Sequence, residues 1–231
     1  MTKVLVIVAH ADDEAIGCGG TLLKHHALHD EIRIIYMTNG VDARQCMSAQ
    51  EKIPAEKNSE KRLSSQQKAC QLLGVSQYYN FDFPDNQMDQ VPLIQVVQVI
   101  EKMITDYQPS IIYTHHGGDL NVDHRIVHQA VITACRPQPT TSIKTILTFE
   151  VNSSTEWSTS AIGNDFLPNY FIDISKLTNQ KKQLLQCYQQ EMRVYPHSRS
   201  LQAIENLNQW RGNQMGLASA EAFMLIRYIA D

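Results

Sequence analysis

The chain has 231 residues, 43% hydrophobic and 19% charged, with 10 Gly and 8 Pro, which is the composition of a globular domain and excludes disordered and collagen-like classes. At this length roughly 70% of the unfolded surface can be buried, so no disulfide, structural metal or swapped partner is needed merely to fold. Its 24 acidic and 20 basic residues leave a formal charge of -4, which gives no field to hold a polyanion and argues against general nucleic-acid binding.

Residues 3–9 (K-V-L-V-I-V-A) read as a strand buried on both faces, because the apolar run is continuous and β-branched. Residues 10–14 are its carboxyl-end loop, and Ile16, Leu22 and Leu23 with small residues between them predict a helix to about residue 29. Residues 31–38 form a second strand, stopped by Asn39-Gly40, and the polar stretch 42–56 is a loop at the sheet's carboxyl edge. Helical polarity runs over 57–73 and ends at Gly74. A short strand at 78–81 and a Phe83-Pro84-Asp85-Asn86 turn lead into an amphipathic helix at 91–107. Next come a buried strand at 110–114, a polar loop at 115–122 and a helix at 123–135. A strand at 143–150, a Ser/Thr-rich insertion at 151–168 and an edge strand at 170–174 follow. The chain closes with a polar helix at 176–193, a loop at 195–199, a helix at 201–211 and a strand-like run at 221–229.

Strands and helices alternate without a fixed repeat. This predicts a single domain over 1–231 with a three-layer α/β/α, Rossmann-like architecture around a mostly parallel sheet. The helix at 91–107 hides its apolar face against that sheet in preference to a partner, and the oligomeric state, a homo-oligomer included, stays open. The cysteines at 18, 46, 70, 135 and 187 have no C-x-x-C spacing, which points to a reducing compartment. The opening apolar run is too short and too soon interrupted for a signal peptide or membrane span, so the expected location is cytoplasmic.

Open α/β sheets bind ligands beyond the carboxyl ends of their strands, and two polar clusters fall there. The first, His10-Ala11-Asp12-Asp13-Glu14, sets four ionisable residues in five positions beside a core, which is costly unless a cation or solvent neutralises them. His10 and Asp13 can converge on one metal across a turn, with Asp12 beside it. Zinc takes imidazole nitrogen and carboxylate oxygen, and a catalytic site keeps three protein ligands and an open position for water. The plainer alternative is an acidic run that only opens a helix, where carboxylates suit the dipole. The second cluster runs from His115 and His116 through Gly117, Gly118 and Asp119 to Asn121, Asp123 and His124, with His128 one helical turn on. His124 and His128 share a helix face, so on spacing either or both can bind a metal. His128 also reads as a hydrogen-bonded helix histidine.

Both clusters resemble the signatures of the PIG-L/LmbE-like zinc deacetylases. The family's A-H-P-D-D-E is matched by Ala9-His10-Ala11-Asp12-Asp13-Glu14, with alanine in place of proline. Its H-x-D-H opening a helix is matched by Asn121-Val122-Asp123-His124. The resemblance covers roughly residues 3–150 well and the rest, 176–231 included, more loosely. It implies a small-molecule substrate, an N-acetylated amino sugar or conjugate, that loses its N-acetyl group. It also implies Zn2+ held by His10, Asp13 and His124, Asp12 as general base, and Asp123 as the carboxylate partner of a site imidazole.

Asn121 departs from the pattern, since many members have a histidine there that is thought to help stabilise the oxyanion. Asparagine still donates a hydrogen bond but carries no proton. His197 is the candidate substitute, because Tyr195-Pro196-His197-Ser198-Arg199-Ser200 and Ala220-Glu221-Ala222-Phe223 resemble segments of one branch of the family. The plainer account is that Pro196 ends one helix and Ser198 or Ser200 caps the next, which leaves the imidazole unexplained. Arg44, Arg62, Arg125 and Arg199 are candidates to meet a phosphate or carboxylate, and Trp157 either stacks on a sugar or anchors the insertion. The competing readings are a non-catalytic metal- and sugar-binding module and a zinc amidase or esterase for another acyl group. A dinucleotide enzyme is disfavoured, because Gly17, Gly19 and Gly20 come late and no G-x-G-x-x-G is present.

Overall fold

The apolar run that opens the chain becomes, in the computed structural model, strand β1 (Lys3–Val8), with Val4 to Val8 wholly buried. The structure describes residues 1–38, 55–161 and 165–230. The expected Asn39-Gly40 stop, most of the loop at 42–56 with Arg44, and part of the insertion lie outside the described residues.

The other strands are β2 (Glu31–Thr38), β3 (Gln77–Phe83), β4 (Ile111–His115), β5 (Thr145–Phe149), β6 (Tyr170–Asp173) and β7 (Ala220–Tyr228). The helices are α1 (Asp13–Ala27), α2 (Ala55–Leu72), α3 (Leu93–Tyr107), α4 (Val122–Ala134), α5 (Thr178–Cys187) and α6 (Leu201–Asn213). The sheet order is β3-β2-β1-β4-β5-β7-β6. Strands β1 to β5 are parallel, and β7 runs antiparallel between β5 and β6. Successive side chains of β1 point to opposite faces. Val4, Val6 and Val8 pack in the core with α1, α2 and α5, while Leu5, Ile7 and Ala9 pack with α3 and α4. The mostly parallel three-layer architecture follows from that one strand being apolar on both sides. No helix among the described residues is long and apolar enough to cross a membrane.

Helix α1 starts at Asp13, earlier than its apolar spacing suggests, and bends at Cys18 (φ -143°, ψ 16°). Next to the bend, Gly17 lies so close to β5 that a Cβ there would stand 2.1 Å from the Phe149 ring. The bend frees backbone groups that distant charges then satisfy. Lys181 Nζ donates to the Ile16 carbonyl at 3.0 Å, and the Gly20 and Thr21 N–H groups each donate to the Glu221 carboxylate at 2.7 Å. Lys181 and Glu221 pair at 2.6 Å, their side chains 3% and 1% exposed. A lysine of α5 and a glutamate of β7 therefore cap a broken helix from outside it.

Removing one partner of a buried pair leaves the other charge uncompensated, at a cost of about 3–5 kcal/mol. Lys181→Met and Glu221→Gln are each expected to lower the unfolding free energy in urea by about that much, while the exposed-lysine control Lys182→Met shifts it by less than about 0.5 kcal/mol. Small effects equal to the control's would show that the pair does not hold the bend.

Helix α5 stops at Cys187 instead of running to 193, which corrects the sequence expectation. The cause is tertiary. Tyr188 turns inward and its hydroxyl donates to Glu14 Oε1 at 2.6 Å, and Glu191 reaches Arg62 at 3.5 Å. Helix propensity is a weak preference, and such long-range contacts override it.

Candidate active site

Strands β1 and β4 are neighbours, yet the chain leaves β1 for α1 on one face and β4 for α4 on the other. That divergence opens a crevice at their carboxyl ends, the ligand position of open α/β sheets. The two polar loops meet in it, joined where the Ala9 N–H donates to His115 Nε2 at 2.9 Å.

His10, Asp13 and His124 converge there, with one ligand-type atom of each within 4.8 Å of the others. Asp13 Oδ2 accepts from the His10 N–H at 2.9 Å and lies 3.3 Å from His10 Nδ1 and 3.4 Å from His124 Nε2. Among the described residues, Asp13 Oδ1 has no hydrogen-bond partner although buried, and neither ring nitrogen of His124 makes a hydrogen bond of sound geometry. Buried polar atoms are rarely left so. Two imidazoles and a carboxylate with such unspent atoms make a donor set that fits a divalent ion, zinc included.

Behind this trio, His10 Nε2 lies 3.0 Å from Asp85 Oδ1 and 3.1 Å from Asp123 Oδ2. Asp123 is itself fixed, its Oδ2 accepting from the Asn86 N–H at 2.6 Å and its Oδ1 from the Met88 N–H at 3.1 Å. A carboxylate on one ring nitrogen sets the tautomer and aims the other nitrogen. His10, Asp85 and Asp123 form a second group with ligand-type atoms within 4.8 Å of one another, one that shares His10 with the first.

The charges explain why the cluster is stable. Burial opposes a charge on either imidazole, but Asp123, Asp13 and Asp85 hold His10 well above the ordinary histidine value, and Asp13 with Asp119 lifts His124 to about 9. Burial likewise opposes the Asp13 carboxylate, yet the charge on His124, with the hydrogen bond from His10, keeps its carboxyl well below the usual range. The raised histidines offset part of the surrounding carboxylate charge, a role that a cation bound in their place would take over.

His115 behaves differently. Burial, and after it the charge on His124, holds it well below the usual value, so it stays neutral. It ends β4, and its ring stacks on His124 at 3.9 Å between centroids and an interplanar angle of 10°. His128 Nδ1 donates to the His115 carbonyl at 2.9 Å, the hydrogen-bonded helix histidine of the plainer reading. His116 is buried, edge-on to Phe166 at 5.3 Å.

Asp12 sits beside the trio in a left-handed backbone conformation (φ 118°, ψ -25°). Such a conformation costs a non-glycine residue on the order of 1–3 kcal/mol and persists only where the surroundings enforce it. Here the Asp12 N–H donates to Glu14 Oε2 at 3.1 Å, and Arg199 Nη1 donates to Asp12 Oδ2 at 2.9 Å. Burial pushes the Asp12 carboxyl up and Asp13 adds to it, while Arg199 pulls it down, and the balance is about 6. Glu14 is pushed up by burial to about 7 against the hydrogen bond from Tyr188.

Asn121 caps α4, its Oδ1 accepting from the Asp123 and His124 N–H groups at 2.8 and 3.4 Å, and its Nδ2 donates to Asn86 Oδ1 at 3.3 Å. His197 Nδ1 accepts from the Arg199 N–H at 3.0 Å, and its ring meets Trp157 edge to face at 5.6 Å. Trp157 is 51% exposed. Among the arginines, Arg199 is turned onto Asp12, Arg125 donates to the Asp119 and Leu120 carbonyls at 2.7 and 2.5 Å, and Arg62 meets Glu191. The sequence named Asp119 only within the second cluster and Asp85 only within a turn, gave neither a role, and did not single out Tyr188. An aspartate in a Gly-Gly-Asp or Pro-Asp-Asn turn reads locally as a turn residue, and only the shared loop with His124 hints at more for Asp119.

The chain is 28% identical over 141 residues to the uncharacterized deacetylase YaiS of Escherichia coli K12, across 59% of this chain and 69% of that one. Its fold is similar to that of N,N'-diacetylchitobiose deacetylase from Pyrococcus horikoshii, with a TM-score of 0.77 and 20% identity over 98% of this chain and 84% of that one. It is equally similar to GalB, the 4-carboxy-2-hydroxymuconate hydratase of Pseudomonas putida KT2440, with a TM-score of 0.76 and 16% identity over 100% and 98%. Those two proteins are named for different reactions, so the shared fold does not select the chemistry and the site must. The model of the PIG-L family, described as GlcNAc-PI de-N-acetylase, matches residues 5–135, a span that holds both polar loops. On that match the chain belongs to the PIG-L family of de-N-acetylases.

Proposed function

We propose that this protein is a zinc-dependent hydrolase that removes the N-acetyl group from an N-acetylated amino sugar or amino-sugar conjugate. The observation that carries the reading is the convergence of His10, Asp13 and His124, with unspent buried atoms on Asp13 and His124, next to a carboxylate outside the trio, Asp12. The family description and the names of YaiS and the Pyrococcus enzyme support an N-acetyl substrate.

His10, Asp13 and His124 would hold the ion, which when bound polarises the amide carbonyl and lowers the pKa of a coordinated water. Asp12 takes the proton of the attacking water at its carboxylate. Burial, which pushes its carboxyl above the ordinary carboxylate range, favours a group that takes up that proton and passes it to the departing amine. Arg199 orients that carboxylate through its hydrogen bond to Oδ2. Asn121 has both side-chain ends engaged, in the helix cap and at Asn86. His197 accepts a backbone N–H at Nδ1, which leaves Nε2 as the protonated nitrogen, so His197 is the better donor for a developing oxyanion.

The test is zinc stoichiometry followed by acetate release from a panel of N-acetylated sugars, nucleotide sugars, peptides and simple acyl esters. One zinc per chain and acetate from an N-acetyl amino sugar, lost on chelation, are expected. Protein that stays metal-free in zinc, or hydrolysis that persists with chelator, overturns the reading. Turnover of esters or peptides alone moves the substrate to another acyl class.

A further inference from the structure

The insertion after β5 is rich in serine and threonine, and its hydroxyls have a destination. Ser154 Oγ makes a short hydrogen bond to Asp119 Oδ1, and Thr155 Oγ1 donates to Asp119 Oδ2 at 2.6 Å. The Asn121 N–H donates to Asp119 Oδ1 at 2.8 Å. The turn that carries these hydroxyls is held in its own right. The Val151 N–H donates to Thr155 Oγ1 at 2.8 Å, and the Ser153 and Ser154 N–H groups donate to the Glu156 carboxylate at 2.7 and 3.2 Å. Asp119 is wholly buried, yet no motif marks it.

Asp119 Oδ1 lies 3.2 Å from His124 Nδ1, an ion-pair contact that a small turn of the ring brings into hydrogen-bond alignment. On the other side of the ring, Nε2 faces Asp13. A histidine that ligates through Nε2 carries its proton on Nδ1, and an acceptor placed there fixes the tautomer and the angle of the ring. The His115 ring stacks face to face on His124 at 3.9 Å between centroids, while Asp119 stands at the Nδ1 edge. We infer that Asp119 is the positioning residue for His124, and that Ser154 and Thr155 hold Asp119 in line. The insertion thereby acts on the metal site without touching the metal. Its neighbouring residues brace the other side of the site as well, since Arg199 Nε donates to Ser153 Oγ at 3.0 Å while Nη1 holds Asp12.

The inference rests on the proposed zinc reading, and zinc affinity separates the two. The experiment is competition of the full-length protein with a chelator for zinc alone, without substrate. It compares the wild type with Asp119→Asn, Thr155→Val and Thr155→Ser, and follows thermal unfolding of each in chelator. Asp119→Asn is expected to bind zinc about 10- to 100-fold more weakly, and Thr155→Val to shift in the same direction. Thr155→Ser, which keeps the hydroxyl, is expected to restore the wild-type affinity. A purely structural role lowers the unfolding temperature in chelator and leaves zinc affinity unchanged. Wild-type affinity in both Asp119→Asn and Thr155→Val overturns the inference alone. If Asp119→Asn does not fold, the contrast between Thr155→Val and Thr155→Ser decides in the same way. A wild-type protein that takes up no zinc overturns the metal reading, and the inference with it.

Discussion

Replacing His124 with alanine is expected to remove zinc and hydrolysis together. A catalytic zinc site has three protein ligands, and two of them rarely retain the ion against a chelator. The loss goes beyond one donor. His124 stands between Asp13 at 3.4 Å and Asp119 at 3.2 Å, so its removal leaves two buried carboxylates facing each other across a hole. The metal-free variant should therefore also unfold at a lower temperature than the metal-free wild type. Zinc at about 100 times its dissociation constant adds about 2.7 kcal/mol to a protein that binds it only when folded, so zinc should raise the wild-type unfolding temperature and leave that of His124→Ala where it was. His128→Ala is the control, since its ring serves the His115 carbonyl, and it should keep the metal. If His124→Ala held one zinc as tightly as the wild type, the centre would be the alternative grouping of His10, Asp85 and Asp123.

Asp12→Asn is expected to keep zinc and lower kcat by about 10²-fold or more, with little change in KM. The substitution isolates the proton. Asparagine tolerates a left-handed backbone as aspartate does, so the φ of 118° adds no new strain. Its amide oxygen still accepts from Arg199 Nη1, and its N–H still reaches Glu14. What it cannot do is take a proton from water. Acetate release at saturating substrate, measured on protein with one zinc per chain, checks this. Full activity in that protein would remove Asp12 from the role of base.

Much of this was legible in the residues, and what was not has a physical pattern. The V-L-V-I-V strand, the E-I-R-I-I-Y-M-T strand and the apolar stripe of residues 91–107 specify their elements locally, so the layers and the succession of elements along the chain could be read. The reversed direction of β7 could not, because nine residues of mixed polarity carry no sign of strand sense. The break in α1 was hidden for a related reason. Its causes lie in Phe149, Lys181 and Glu221, far from the helix itself. The two signature loops were readable because each is continuous in the chain. Arg199 was singled out only as a possible ligand for a substrate anion, and it faces Asp12 instead, a pairing that no local spacing encodes.

Arg199 meets Asp12 across 187 positions and Tyr188 meets Glu14 across 174, whereas His10, Asp13 and His124 all precede residue 125. A ribosome therefore delivers the whole candidate trio long before it adds the guanidinium and the phenol that steady the first loop. On the proposed reading, the residues that would hold the cation are made first, the insertion that steadies His124 through Asp119 next, and the partners of the first loop last.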